Sequence, residues 1–249
     1  ILGMTYRFTY NEQQLNLIKN YLYFQGTIET SGNVANWLAG SNPETEQAPF
    51  SQFLKLDSDL RYTLQGLRQS GVARLAIGVG YSYHHSQVMP YARQYFVGGA
   101  NSIRAFQLRS VGPGGVVPDP DNTGSFFDQT GDIKLEANLE YRFDALPYTE
   151  GALFVDAGNI YLLRNPTNEL RLQDGLFHWD QFYQQLAVGA GAGLRLDLNF
   201  VLLRFDVALP LRVPSLPANQ RWVIDEIALG QKNWRQSNLA YNIAIGYPF

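Results

Sequence analysis

The segment "GDIKLEANLEYRF", residues 131–143, divides into two chemically pure faces between Ile133 and Phe143. Successive side chains of a strand point to opposite sides. Ile133, Leu135, Ala137, Leu139, Tyr141 and Phe143 therefore share one face, and Lys134, Glu136, Asn138, Glu140 and Arg142 share the other. The same division recurs along the chain. "FLKLDSDLRYTL" opposes Lys55, Asp57, Asp59, Arg61 and Thr63 to Leu54, Leu56, Leu60, Tyr62 and Leu64. "ARLAIGVGYSY" opposes Arg74, Ala76, Gly78, Gly80 and Ser82 to Leu75, Ile77, Val79, Tyr81 and Tyr83. In "LAVGAGAGLRLDL" the polar face carries Gly189, Gly191, Gly193, Arg195 and Asp197, and glycine on a strand lets another backbone approach closely.

With "MTYRFTY", "NYLYFQGTIET", "ALFVDAGNIY", "FVLLRFDVALPL" and "LAYNIAIGYPF", nine candidate strands are present. Their cores run to about ten residues, the length that crosses a bilayer when tilted. Connections alternate between short ones and long ones (86–130, 162–184, 211–237), as turns and loops do in an outer-membrane barrel. Charged residues are only 16% of the chain, below the ~25% usual for a soluble domain. The 15 Tyr, 15 Phe and 4 Trp supply the amphipathic rings that bilayer interfaces select. No window is apolar for the ~18 residues a membrane-spanning helix needs. A soluble antiparallel sheet also alternates and stays an alternative, although it rarely carries charged rows on so many strands.

Other classes find little support. A net charge of −3 without a basic block argues against nucleic acid, and the absence of cysteine removes disulfides and thiolate metal sites. His84 and His85 are read on opposite faces of one strand, far from His178, so no metal is expected. "GPGG" at 112–115 lacks the strand, lysine and helix of a phosphate loop. Ser102 has no nucleophile elbow. Asp57 and Asp59 read as solvated wall residues, Lys55 and Arg61 flanking them. No catalytic residue, cofactor or enzyme activity is expected.

"GGANSIRAF" resembles the signature loop of the BamA/TamA/TpsB superfamily of outer-membrane assembly and secretion factors, whose motif is Val or Ile, Arg, Gly, then Phe or Tyr. Ile103, Arg104 and Phe106 match, Gly98 and Gly99 precede them, and Ala105 replaces the family's Gly. That replacement matters if position 105 needs a positive φ. "GDIKLEANLEYRF", then "GALFVDAGNIY" with Phe154, Asp156 and Gly158, then "LLRFDVALPL", are similar to the family's later strands in order and spacing. "YNIAIGYPF", from Tyr241 through Ile243, Ile245, Gly246, Tyr247 and Pro248 to Phe249, ends on an aromatic residue as these proteins do. The last thirty residues look most like versions from Bacteroidota.

The resemblance implies an all-β transmembrane antiparallel barrel of about sixteen strands, of which residues 1–249 form roughly the C-terminal nine. An odd strand count leaves an edge that lipid cannot satisfy, so preceding strands are expected outside this chain, and the resemblance implies periplasmic substrate-binding repeats there as well. It further implies a long loop folded into the lumen, with its Arg against acidic wall residues. Parity nominates the partners independently: Glu140 and Asp156 lie on the polar faces of consecutive strands, and a forked guanidinium suits two carboxylates. The competing arrangement pairs Glu140 with Lys134 or Arg142 on its own wall.

The implied function is assembly or insertion of outer-membrane proteins in a Gram-negative bacterium. A weak seam between first and last strands would template the client, because Gly246 weakens the final strand and Pro248 cannot donate to a ladder. The alternatives are a two-partner-secretion translocation pore and a passive or substrate-specific channel. Expected partners are outer-membrane lipids, unfolded client proteins and accessory envelope lipoproteins or subunits, with no nucleic acid.

Overall fold

The computed structural model describes residues 3–12, 20–33, 51–84, 86, 88–117, 129–165 and 170–249. These form nine strands: β1 (Gly3–Asn11), β2 (Asn20–Ser31), β3 (Phe53–Gln65), β4 (Gln69–Ser82), β5 (Ile133–Leu146), β6 (Thr149–Tyr161), β7 (Ala187–Asp197), β8 (Leu202–Arg212) and β9 (Ala240–Ile245). They pair in chain order into one sheet, each antiparallel to the next. One short helix, α1 (Lys232–Asn238), precedes β9. Among the described residues no helix is long and apolar enough to cross a membrane, which says nothing of spanning by strands.

The alternation in the sequence is an alternation of solvents. Leu139, Leu153, Val155, Leu194, Val207 and Ile243 stand exposed on one face, while Glu136, Asn138, Glu140, Asp156, Arg195, Arg204 and Asp206 are buried on the other. In a water-soluble sheet the apolar row would be the covered one. Here the apolar rows face lipid and the charged rows line an occupied lumen. The occupant is the described part of the β4–β5 connection around residues 95–117. From it, Tyr95 reaches the Leu56 carbonyl on β3, Asn138 on β5 binds the Ser102 carbonyl, Ala105 meets Gly189 on β7, and Asn242 on β9 binds the Arg104 carbonyl. A single sheet can touch one loop from β3 through β9 only by curling around it.

Three local features differ from the periodicity. The "DALPYTEG" connection is tighter than expected: β5 runs to Leu146 and β6 starts at Thr149, leaving Pro147 and Tyr148 as the turn, with Tyr148 at φ 60° and a bulge between Asp144 and Leu146. β9 stops at Ile245, and its ladder ends where the Gly246 N–H donates to the Leu202 carbonyl at 2.8 Å. Gly246 takes φ 81°, so the chain leaves the sheet before Pro248 is reached. His84 lies in a turn beyond β4 at φ 54° rather than on a strand face, because the ladder ends at Ser82. His85 lies outside the described residues.

Candidate functional site

Residues 98–107 form a compact turn that presents Arg104 to the wall. Gly98 and Gly99 have φ of 100° and 87°, and a Cβ at 98 would run into the Gln107 carbonyl, so only glycine fits there. The Gly99 N–H donates to the Phe106 carbonyl at 2.8 Å, and Ser102 Oγ accepts from the Gly98 N–H at 3.0 Å. Ile103 anchors the turn in an apolar cluster with Tyr95, Val97, Val111, Ile160 and Ala187, and Phe106 packs against that cluster and a second one formed by Ala105, Phe154 and Ala208. Ala105 does not adopt a positive φ, so the replacement of the family's glycine carries no strain. Its methyl group occupies the space that a side chain at Gly189 would take.

Arg104 is fully buried. Its Nε donates to Asp156 Oδ2 at 2.8 Å and its Nη2 to Asp156 Oδ1 at 2.9 Å, a two-pronged pair, while its backbone N–H adds a third bond to Oδ2 at 3.1 Å. The remaining prong, Nη1, donates to Glu140 Oε2. The guanidinium carbon lies 3.4 Å from the centre of the Phe154 ring. Sheet register explains the geometry: Asn138 pairs with Asp156 and Glu140 with Phe154, so the carboxylates are diagonal neighbours with the ring beside them. The guanidinium lies over that ring and reaches both. Glu140 also accepts from Arg142 Nε at 2.7 Å, so the pairing along its own wall coexists with the pairing to the loop.

A second tier surrounds this clamp. Arg195 bridges Glu140 and Asp206 through Nη2 at 3.1 Å and Nη1 at 2.6 Å. Arg204 lies 3.2 Å from Asp206 and turns its Nη2 to the loop, donating to the Ala100 carbonyl and Asn101 Oδ1, both at 2.7 Å. Asn138 Nδ2 donates to Asp156 Oδ1 at 2.9 Å and to the Ser102 carbonyl at 3.0 Å, and Ser102 Oγ donates to Glu136. Asn242 Nδ2 donates to the Arg104 carbonyl at 2.9 Å. Buried ion pairs add little net stability over apolar packing, but leaving one member unpaired is costly. The network therefore fixes where the loop sits more than how tightly the sheet holds.

Glycines shape the wall to the loop. A Cβ at Gly158 would come within 3.2 Å of the Ile103 side chain and closer still to the Leu135 carbonyl, and one at Gly78 would lie 2.5 Å from the Tyr95 ring. Burial, followed by the nearby Asp57 carboxylate, pushes the Tyr95 phenol far above its ordinary range, so it stays a neutral donor. At the other end of the chain, Tyr241, Ile243 and Ile245 point outward and are exposed, Tyr247 bonds Glu150, and Pro248 is buried. The Phe249 ring turns inward, its centre 5.8 Å from the Arg104 guanidinium carbon and 5.9 Å from that of Arg74. Asn138 and Arg195 fall on polar faces in the sequence with no role assigned to them, and Arg204, Asp206 and Asn242 carry no reading there. All five are inward by parity, and which of them meets the loop depends on the loop's path. Among the described residues, no group of three or more His, Cys, Asp or Glu could hold a metal ion.

An antiparallel sheet with lipid-facing apolar rows, a charge-lined interior and a loop held inside by an arginine fork defines a plugged transmembrane β-barrel. Residues 29–224 match the Omp85 superfamily domain, and the chain belongs to that superfamily. The matched span covers the lumen loop and its acidic partners. No curated protein matches the chain. Among solved structures, that of BamA from Haemophilus ducreyi lacking POTRA domains 1-3 is similar, with a TM-score of 0.47 and 16% sequence identity over 84% of this chain and 50% of that one. The chain thus spans about half the length of that structure.

Proposed function

We propose that this chain is the C-terminal part of an outer-membrane barrel that inserts or assembles client proteins in a Gram-negative envelope, and that β9 is the movable side of its seam. The observation that carries the reading is the shortness of β9. It pairs with β8 only from Leu203 to Ala208, although β8 extends to Arg212, and it ends at a left-handed glycine. Each unpaired N–H and C=O on such an edge is a site for an incoming strand, and in lipid an unsatisfied edge is unfavourable. Earlier strands would close the barrel against β9, and periplasmic repeats would deliver unfolded clients, with accessory lipoproteins or subunits assisting. No ATP is needed if the client's own folding supplies the free energy.

The test uses the full-length protein. The segment contains no cysteine, so paired cysteines at Ile243 or Ile245 and on the first barrel strand introduce a disulfide without native competitors within it. Oxidation should stop client insertion and reduction should restore it; unimpaired insertion by the oxidised protein refutes a gating seam. A second reading, a pore through which an unfolded client is secreted, is favoured by the half-buried charged row Lys55, Asp57, Asp59 and Arg61 on β3. In that case the sealed protein continues to translocate.

A further inference from the structure

The described part of the β6–β7 connection packs against the outer wall of the sheet. Phe177, Trp179 and Phe182 form an aromatic cluster, with Phe177 4.9 Å from Trp179 and 5.7 Å from Phe182 between ring centres. Tyr161 stacks edge-on to Phe177 at 5.3 Å, and its hydroxyl donates to the Phe182 carbonyl at 2.7 Å, which ties the cluster to the end of β6. This cluster borders a groove of about 360 Å³ whose floor is the outward face of β4 and β5, including Leu75, Ile77 and Leu135. The same side chains belong to the row that faces lipid. Ile133, on that row, is only 5% exposed, whereas Leu139, six residues further along it, is 59% exposed. The loop thus converts an open lipid-facing wall into a recess.

The dimensions fit one kind of occupant. Leu75 and Val79 both line the groove, and four residues of strand at ~3.3 Å each span about 13 Å. Half of a ~30 Å hydrocarbon core is ~15 Å. With strands tilted by ~35–45°, that stretch of strand covers about 10 Å of depth, roughly two thirds of one leaflet's acyl region. The groove lies toward the end of β4 from which the long loops leave, the outer side of such a barrel. At its upper end, Tyr81 follows Val79 on the same outward face, and the Arg164 guanidinium carbon sits 4.6 Å from the Tyr81 ring centre. Both residues are exposed. Arg164 also feels the Asp132 carboxylate, which itself accepts the Leu163 N–H at 3.0 Å. A cation fixed on an aromatic ring at the headgroup end of an apolar slot is the complement of a phosphate above an acyl chain.

We infer that this groove binds a phosphorylated, acylated lipid of the outer leaflet, its chain along Leu75, Ile77 and Leu135 under Trp179 and its phosphate at Arg164. The inference rests on the membrane-barrel fold and the outward direction of the long loops, and not on the insertion activity. The experiment places the full-length protein in phosphatidylcholine nanodiscs containing bis-phosphorylated lipid A with brominated acyl chains, or the same glycolipid stripped of phosphate. Quenching is read as the difference between wild type and Trp179→Phe, which isolates one indole. Wild type should reach half-maximal quenching at about tenfold lower mole fraction of the phosphorylated probe, the ratio expected for one charge-assisted contact. Arg164→Ala should erase the preference, and Ala137→Phe, which fills the groove from a lipid-facing position, should suppress quenching by both probes. Equal quenching by the two probes, or unchanged quenching in Ala137→Phe, overturns the proposal and leaves ordinary boundary lipid.

Discussion

Arg104→Ala removes one cation from two carboxylates that keep unequal company. Glu140 retains Arg142 at 2.7 Å and Arg195 at 3.1 Å. Asp156 retains the Asn138 amide at 2.9 Å and the backbone N–H of residue 104 at 3.1 Å, which are neutral donors. Removing one member of a buried pair costs ~3–5 kcal/mol, most of it from the charge left behind. That loss should fall on Asp156. In a double-mutant cycle, Arg104 and Asp156 should couple by about 3 kcal/mol, because Asp156→Asn removes the stranded charge. Arg104 and Glu140 should couple by only about 1 kcal/mol, because Glu140→Gln leaves Arg142 and Arg195 short of an acceptor whether or not Arg104 is present. Urea unfolding of the full-length protein in lipid vesicles measures the cycle, and tryptic cleavage after Arg109, which lies in the loop, reports release from the wall. Equal couplings, or the larger one at Glu140, would refute the assignment of Asp156 as the principal catch.

Three further expectations concern the same interior and its rim. Gly189→Val drives a branched side chain against the Ala105 methyl, so the loop should become protease-sensitive while the unheated protein should still migrate on gels as a folded barrel; overpacking of this kind costs ~1–3 kcal/mol. Asn242→Ala should cost about 1 kcal/mol of loop docking, and Asn242→Asp more, because a carboxylate would then face the Arg104 carbonyl; identical proteolysis rates for the two variants would exclude the hydrogen bond as the cause. Tyr247 lies beyond β9, and burial, followed by the Glu150 carboxylate, pushes its phenol up to about 12. A phenol whose folded pKa is raised favours the folded state below the unfolded value of ~10 and loses that contribution as pH climbs through the folded value. The tyrosinate difference spectrum between wild type and Tyr247→Phe should therefore titrate late, and Glu150→Gln should bring the titration closer to that of a free phenol.

The strands could be read from the chain because a barrel wall separates two media, and Ile133 to Phe143 records that separation residue by residue. The motif and face parity point to Arg104, Glu140 and Asp156, and the structure brings them into contact. Parity gives the face but not the register, so the diagonal placement of the two carboxylates beside Phe154 could not be read. Arg195, Arg204 and Asp206 sit on the right faces, yet nothing local distinguishes them from half-buried wall charges such as Arg61. Asn242 and the seating of Ala105 against Gly189 depend on a path that long-range packing decides. Alternation continues through Tyr247 and predicts a longer β9, whereas the backbone breaks at Gly246, where φ reaches 81°.

The bond from Asn242 to the Arg104 carbonyl joins residues 138 apart in the chain, while Asp156 reaches Arg104 across 52. Contacts of such separation form slowly, because the intervening chain must be ordered before they repay its closure. The loop can therefore find Asp156 once β5 and β6 have paired, but it is not fully held until β9 arrives. During biogenesis Arg104 would act as a timekeeper: its carbonyl remains unclaimed for as long as β9 is unplaced.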